Sequence, residues 1–176
     1  YRLGPFGWFY HPAIQGLQDG IDKTSNFGTL DIISALKWVN QNIEFFGGDL
    51  ENITIFGESA GGHNVLSLIV SEKANGLFHK AISMSGYTTT INQDKSYNQE
   101  QKSSTSDFSS WNVVNKILDD SNQPKIQESF SETELRDILL TLSTKDFFKH
   151  YSEREPYQEL PLLQSDGVVI PRQGLR

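Results

Sequence analysis

Segments with a clear hydrophobic period alternate along the chain with segments that are almost wholly polar. From Asn26 onward, apolar residues recur at three- and four-residue steps, which predicts an amphipathic helix; they are Leu30, Ile33, Leu36, Val39, Ile43 and Phe46. Gly47-Gly48-Asp49 ends the pattern, as glycines commonly do at a helix C-terminus. Residues 16–26 are polar and predict a loop, and residues 1–9 predict the end of a strand followed by a Gly/Pro turn.

Residues 52–85 combine three short elements. Asn52–Phe56 is a β-rich run suited to a buried parallel strand. Residues 60–71 are apolar enough to predict a helix packed on a sheet, and residues 78–85 predict a second strand. A helix between two strands is a βαβ unit, which implies parallel pairing and a right-handed crossover. The pattern therefore predicts an α/β fold.

The remaining half of the chain is less uniform. Residues 87–110 are rich in Ser, Thr, Asn, Gln and Lys, so we expect an exposed, mobile insertion and not a domain linker. A helical face follows at Trp111, Val114, Ile117 and Leu118. Ser131 and Glu134 have the spacing of a capping box ahead of another helix, and residues 160–171 predict a turn and a short strand.

Composition and charge narrow the function classes. With 36% hydrophobic and 21% charged residues among 176, the chain is typical of globular proteins. A net charge of −7 argues against a nucleic-acid partner, because phosphates require a basic face. The absence of cysteine excludes disulfides, thiolate metal sites and cysteine nucleophiles. No apolar run has the length of a membrane span, and we expect no metal or cofactor.

The most informative motif is Gly57-Glu58-Ser59-Ala60-Gly61, between a predicted strand and a predicted helix. This context is typical of a nucleophile elbow, although the pentapeptide also occurs by chance in unrelated proteins. We expect the turn to require glycine at positions 57 and 61, because a side chain at either position would collide with the neighbouring strand or helix. Ser59 would be the nucleophile at a helix N-terminus, and the N–H of Ala60 one oxyanion-hole donor.

Several further motifs stand in one unbroken order around this turn. They are Tyr1-Arg2-Leu3-Gly4-Pro5-Phe6-Gly7, Asn26-x-Gly28-x-x-Asp31, Ala35-Leu36-x-Trp38-Val39-x-x-Asn42-Ile43, Phe46-Gly47-Gly48-Asp49, Phe78-His79-Lys80-Ala81-Ile82-x-Met84-Ser85-Gly86 and Asp166-Gly167-x-x-Ile170-Pro171. Together with the Gly-x-Ser-x-Gly turn they resemble the carboxylesterase type B family, which includes cholinesterases and bacterial para-nitrobenzyl-type esterases. The resemblance is dense through Gly86, thin in the middle, and present again near Pro171.

The resemblance implies an α/β-hydrolase fold, a mixed and mainly parallel sheet with helices on both faces. It also implies hydrolysis of a small-molecule ester, in which Ser59 attacks the carbonyl and forms an acyl-enzyme. Glu58 matches a position that lines the substrate gorge, but a solvated turn residue is an equal alternative. Ser85 matches a residue that supports the triad acid, or is an ordinary strand-end serine.

Part of the family's machinery has no match here. The family's triad acid is a Glu just beyond the Asp-Gly-x-x-x-Pro turn, its histidine comes much later, and its glycine-rich oxyanion loop would precede Tyr1. Glu153, Glu155 and Glu159 precede that turn, and none of the four histidines fits the order Ser, acid, His. We therefore expect residues 1–176 to be the central part of one hydrolase domain, incomplete and inactive in isolation, with the remainder of that domain as its partner.

Two other functions stay open. A non-catalytic, cholinesterase-like adhesion module would share the fold, although such modules commonly lose the nucleophilic serine. A structural or interaction fragment without activity is the third interpretation. Compartment is not determined, and the absence of cysteine fits bacterial members of the family better than the disulfide-bearing animal ones.

Overall fold

The computed structural model describes residues 1–97, 109–121, 129–152 and 163–175. Its α-helices are α1 (Pro5–Trp8), α2 (Pro12–Gln15), α3 (Phe27–Asn42), α4 (Ala60–Val70), α5 (Gln93–Tyr97), α6 (Ser110–Asp120), α7 (Glu132–Thr141) and α8 (Thr144–Ser152). Its strands are β1 (Thr54–Glu58) and β2 (Lys80–Met84), and its 3₁₀ turns are Gly20–Lys23, Ile43–Phe46 and Glu72–Ala74.

The βαβ unit is the centre of the structure. β1 and β2 pair in parallel, with Thr54 opposite Lys80 and Glu58 opposite Met84. The helix α4 connects them and packs on both strands, while α3 packs beside α4. The prediction of parallel pairing is confirmed, because a crossover helix allows two consecutive strands to run in the same direction. β1 begins and ends two residues later than predicted, so Gly57 and Glu58 belong to the strand itself.

One face of this two-stranded sheet is covered and the other is open among the described residues. The Ser83 hydroxyl donates to the carbonyl of Gly62 in α4, so Ser83 faces that helix. Because side chains alternate along a strand, Phe56, Ile82 and Met84 lie on the opposite face, where they are 72%, 53% and 42% exposed. The described part of the chain therefore shows helices on one face of the sheet only.

Two apolar clusters hold the described residues together. One lies between α3, α4 and the segment 163–170, and its buried members are Ile33, Leu36, Leu68, Ala74, Leu163, Val169 and Ile170. The other joins the N-terminal turns to α6, α7 and α8, and its buried members are Phe9, Ala13, Val113, Val114, Ile117, Leu118, Leu135, Leu139 and Tyr151. The segment 163–170 thus lies against α3 although more than 120 residues separate them.

Side-chain hydrogen bonds anchor that C-terminal segment. Asn26 donates from Nδ2 to the carbonyl of Gln164 and accepts the Gln164 N–H at Oδ1, at 2.8 and 2.9 Å. The Ser71 hydroxyl donates to the carbonyl of Val169 at 2.7 Å. Asn26 is fully buried, and both of its side-chain atoms are used, as a buried amide requires.

Both helix predictions for the second half are confirmed. α6 buries Val114, Ile117 and Leu118, with Trp111 half-buried beside them. Ser131 and Glu134 form the predicted capping box, in which the Ser131 hydroxyl accepts from the Glu134 N–H and the Glu134 carboxylate accepts from the Ser131 N–H.

Two local predictions are wrong. Residues 5–8 form a helical turn and not a strand end, because Pro5 has the fixed φ that suits a first helical position. Residues 167–170 bend around the side chain of Asp166 and form no strand. The pairing seen in the segment 163–170 is the single bridge between Gln164 and Ile91.

Within the predicted insertion 87–110, the described residues contain that bridge and α5. Residues 98–108 of it, and also Glu153, Glu155 and Glu159, lie outside the described residues.

Candidate active site

The carboxyl ends of the two strands bring the predicted site residues together. Glu58 ends β1 and is the register partner of Met84, which ends β2. Ser59 and Ser85 therefore follow neighbouring strand ends, and the Ser59 N–H donates to the carbonyl of Met84 at 2.9 Å. Ligands of α/β proteins bind at this edge of a parallel sheet.

Ser59 has an unusual backbone conformation. Its φ of 53° and ψ of −112° lie in a region that L-residues rarely adopt, at a typical cost of about 1–3 kcal/mol. Hydrogen bonds hold both of its peptide groups, since its N–H donates to Met84 and its carbonyl accepts the N–H of His63 at 2.9 Å. Strain of this kind is typical of a nucleophile elbow, where it lifts the serine side chain out of the sheet.

The helix α4 begins directly after Ser59. Ala60 is its first residue, so the Ala60 N–H is one of the four N–H groups that have no acceptor within the helix. These N–H groups and the aligned peptide dipoles give the helix N-terminus a partial positive charge. An anion that develops beside Ser59 would meet this charge.

The two glycines of the motif differ in their surroundings. A Cβ on Gly57 would lie 2.9 Å from the Cα of Gly61 and closer still to its carbonyl group, so only glycine fits without a shift of the backbone. A Cβ on Gly61 would meet no atom within 4 Å among the described residues. The expectation that a side chain at Gly61 would collide is therefore wrong there, because Gly61 contributes its backbone to the contact and its own hydrogens face open space.

A second glycine pair was missed by the sequence reasoning. A Cβ on Gly62 would lie 2.8 Å from the Cα of Gly86, and one on Gly86 would lie 2.7 Å from the carbonyl carbon of Gly62. The start of α4 and the chain after β2 thus meet backbone to backbone. Gly62 directly follows the Gly-x-Ser-x-Gly turn and Gly86 ends another of the motifs, but nothing local shows that glycines 24 residues apart are in contact.

Glu58 and Ser85 are both exposed in the described structure. Ser85 has a positive φ of 51°, the only such non-glycine residue besides Ser59 among those described. The chain thus makes sharp turns at two adjacent strand ends. Their proximity is established, and the roles that the resemblance implies for Glu58 and Ser85 remain predictions.

His63, in the first turn of α4, is the histidine that packs at this site. It is only 6% exposed, its Nδ1 lies 2.7 Å from the carbonyl oxygen of Tyr87, and its ring contacts the Tyr87 ring at 4.2 Å between centroids. Burial lowers the pKa of His63, which favours a neutral imidazole at pH 7. Sequence reasoning gave His63 no role.

The other histidines lie elsewhere. His11 accepts the Ala13 N–H at Nδ1 and so caps α2, and His79 accepts the Ile53 N–H at 3.2 Å. His150 lies 3.5 Å from Asp120. Within the described ranges, no three His, Asp or Glu side chains are grouped so as to hold a metal ion. None of the helices described has the length and apolar character needed to cross a bilayer.

A cleft of about 450 Å³ runs along the edge of β1 that has no partner strand among the described residues. Tyr1, residues of α3, β1 residues 54–56 and Gly61, Asn64 and Val65 of α4 line it. Ser59 does not line it. The cleft is therefore a gap beside an unpaired strand edge and is distinct from the strand-end site.

Comparison with known proteins identifies the family. The sequence model described as "Carboxylesterase family" matches residues 1–174. The chain belongs to the carboxylesterase family. It is 44% identical over 95 residues to para-nitrobenzyl esterase of Bacillus subtilis (strain 168), which covers 54% of the chain and 18% of that protein. It is 36% identical over 174 residues to carboxylesterase 1E of Rattus norvegicus, covering 98% of the chain and 28% of that protein.

Solved structures agree on the fold. A structure named PNB esterase superposes with a TM-score of 0.69 at 29% identity, over 97% of this chain and 32% of that one. A thermophilic PNB esterase gives the same TM-score at 30% identity. The predicted α/β-hydrolase fold is thereby confirmed, and the chain spans less than a third of the length of these carboxylesterase relatives.

Proposed function

We propose that the protein containing this chain is a carboxylic-ester hydrolase and that Ser59 is its nucleophile. The observation that carries the proposal is the strained Ser59 at the carboxyl end of β1, directly before the N-terminus of α4, in a chain of the carboxylesterase family. The relatives named for para-nitrobenzyl ester and carboxylester hydrolysis support the same substrate class.

In the proposed reaction, Ser59 Oγ attacks the ester carbonyl carbon and its proton passes to a general base. The carbonyl oxygen becomes an oxyanion, which the Ala60 N–H and the N-terminus of α4 stabilise; one oxyanion donor is typically worth about 3 kcal/mol. The alcohol leaves with a proton, and the acyl group remains on Ser59. Water then attacks the acyl-enzyme and releases the acid.

The base, the acid and the second oxyanion donor are assigned to parts of the hydrolase domain that this chain does not span. Two open surfaces favour such a remainder as the partner. The exposed sheet face of Phe56, Ile82 and Met84 is apolar, and parallel sheets are covered on both faces. The edge of β1 that has no partner among the described residues also borders the cleft, where a further strand can pair.

The residues of this chain alone should therefore hydrolyse esters poorly. The strand-end site is open to water, since Glu58, Ser59, Ala60 and Ser85 are all exposed. A serine hydroxyl without a base is a weak nucleophile, and triad residues act as a unit.

The test uses the protein as its gene encodes it and a short-chain nitrophenyl ester. Ser59→Ala is expected to lower kcat/KM by about 10⁴-fold or more, because the nucleophile is lost, and to abolish labelling by a fluorophosphonate. Glu72→Gln, at an exposed position outside the motif, is the matched control for folding and labelling. Hydrolysis by Ser59→Ala at the wild-type rate would refute the assignment. A wild-type protein that neither hydrolyses the ester nor is labelled would be a cholinesterase-like adhesion or structural module.

A further inference from the structure

We propose that His63 is a positioning residue for the nucleophile, because its side chain closes a ring of three hydrogen bonds that fixes the main chain of Ser59. The inference rests on the proposed function, since it assigns His63 a role in the reaction of Ser59. It concerns the contact between the start of α4 and the chain after β2.

Three hydrogen bonds form the ring. The Ser59 N–H donates to the carbonyl of Met84 at 2.9 Å. The carbonyl of Tyr87, three residues after Met84, accepts a hydrogen bond from His63 Nδ1 at 2.7 Å. The ring closes where the His63 N–H donates to the carbonyl of Ser59 at 2.9 Å. The N–H and the carbonyl of Ser59 thus both belong to this ring, and the side chain of His63 makes its third hydrogen bond.

The protonation state of His63 follows from its partner. A backbone carbonyl only accepts hydrogen bonds, so Nδ1 must carry the proton. The imidazole is therefore the Nδ1–H tautomer when neutral, and burial favours that neutral form by lowering the pKa of His63. The Tyr87 ring lies against the imidazole and limits its rotation.

The two strained residues of the site both lie within this ring. Ser59 and Ser85 have φ values of 53° and 51°, and such conformations persist only where surrounding contacts hold them. Gly62 and Gly86 allow the two backbone segments to approach closely enough for the ring to close. Without the His63 hydrogen bond, the Tyr87 carbonyl no longer contacts α4 through a side chain. Residues 85–87 are then held less firmly, and so is the neighbouring Met84 carbonyl that accepts the Ser59 N–H.

Three substitutions at His63 separate the hydrogen bond from simple filling of space. His63→Asn places its Nδ2 amide where Nδ1 stood and keeps a donor for the Tyr87 carbonyl. His63→Gln carries its amide one bond further out, near the position of Nε2. His63→Ala removes the donor altogether. Tyr87→Phe is the matched control, because it keeps the carbonyl and the ring and removes only the hydroxyl.

Steady-state hydrolysis of a short-chain nitrophenyl ester is measured on the protein as its gene encodes it. We expect His63→Ala and His63→Gln to lower kcat by about 5- to 100-fold. The lower end corresponds to the loss of one neutral hydrogen bond. The upper end corresponds to a displacement of the reacting hydroxyl of Ser59. KM should stay near the wild-type value, because His63 is only 6% exposed and offers little surface to a substrate. His63→Asn should recover kcat to within about threefold of wild type, since it keeps a neutral hydrogen bond.

Leu68→Ala distinguishes positioning from general stability. Leu68 is a buried residue of the same helix, 3% exposed, and it does not belong to the ring. We expect Leu68→Ala to lower Tm at least as much as His63→Ala while leaving kcat unchanged below the transition. If kcat instead follows Tm across all these variants, or if His63→Asn and His63→Gln are equally active, the positioning role is wrong. The Asn and Gln pair decides the matter even where His63→Ala does not fold.

Failure of the proposed function would be visible in the wild type. If the wild type neither hydrolyses the ester nor is labelled at Ser59, the proposed function and the positioning role of His63 both fail. The contact itself is then judged by ¹⁵N NMR of the imidazole, which should show a protonated Nδ1 that disappears in His63→Asn. A protonated Nε2 with a bare Nδ1 would overturn the ring. An active, labelled wild type with an insensitive His63 would overturn the inference alone.

Discussion

Replacing Asp166 with alanine would remove the acceptor around which the C-terminal turn is built. Its Oδ1 accepts the N–H groups of Val168, Val169 and Ile170 at 3.0, 3.0 and 3.1 Å. Its Oδ2 accepts a short hydrogen bond from the hydroxyl of Thr24. Asp166 is 8% exposed, so water cannot readily replace these four bonds. The turn is also the place beyond which the family resemblance puts the triad acid.

The loss of stability follows from the buried N–H groups that lose their acceptor. Val169 and Ile170 are 2% and 0% exposed, and each buried N–H without an acceptor costs about 1–3 kcal/mol. Asp166→Ala should therefore lower the free energy of unfolding by about 2–6 kcal/mol. Asp166→Asn keeps Oδ1 for the three N–H groups, and its Nδ2 can donate to the Thr24 hydroxyl. Only the charge is lost, so we expect a cost of about 1–2 kcal/mol.

Urea unfolding at pH 7, followed by tryptophan fluorescence and circular dichroism, measures both variants on the protein as its gene encodes it. Thr24→Val is a comparison variant that removes one of the four bonds of Asp166 and leaves its three N–H groups satisfied. It also removes the acceptor of the buried Asn26 N–H, which Thr24 Oγ1 accepts at 2.9 Å. The expected order of destabilisation is therefore alanine first, then valine, then asparagine. If Asp166→Ala costs less than about 1 kcal/mol, the lower bound for a single buried N–H, or no more than Asp166→Asn, the reasoning is refuted.

Two further substitutions test the N-terminal part of the chain. Arg2 holds Asp31 with two side-chain hydrogen bonds of 2.9 and 2.7 Å and lowers the pKa of Asp31 to about 2. The stabilisation is present above the unfolded pKa near 3.8 and is lost as the pH falls toward 2. Because the pair is part-exposed, it contributes about 0.5–1 kcal/mol. The Tm difference between wild type and Asp31→Asn should shrink from pH 6 to pH 2.5, and a constant difference would contradict this. Gly57→Ala should cost about 1–3 kcal/mol through its collision with the Gly61 backbone and lower kcat; unchanged unfolding and kcat would disprove the collision.

The elements that were predicted well are those whose signals are local. The period of apolar residues determined α3 and α6, and the spacing of Ser131 and Glu134 determined the start of α7. The strand–turn–helix context of Ser59 was also readable, because Gly57 must be glycine for reasons within five residues. Such signals are complete in the sequence, since the interacting groups are near neighbours in the chain.

The errors arose where a single side chain, a proline or the packing of a helix outweighed the composition of a segment. Residues 167–170 have the composition of a strand, but Asp166 takes their N–H groups and bends them. Pro5 begins a helical turn where residues 1–9 predicted the end of a strand followed by a Gly/Pro turn. At Gly61 the predicted collision was wrong because the direction of a missing Cβ depends on how α4 lies on β1.

The sequence by itself therefore determined the family and the α/β class and singled out Ser59 as the candidate nucleophile, because motif spacing and periodicity are properties of the chain. Only the tertiary structure decided that Gly62 meets Gly86, that Asn26 holds Gln164, and that His63 reaches the Tyr87 carbonyl. These contacts join residues 24 to 138 positions apart. Their geometry follows from the parallel pairing of β1 and β2 and from the packing of α4, which no local pattern encodes.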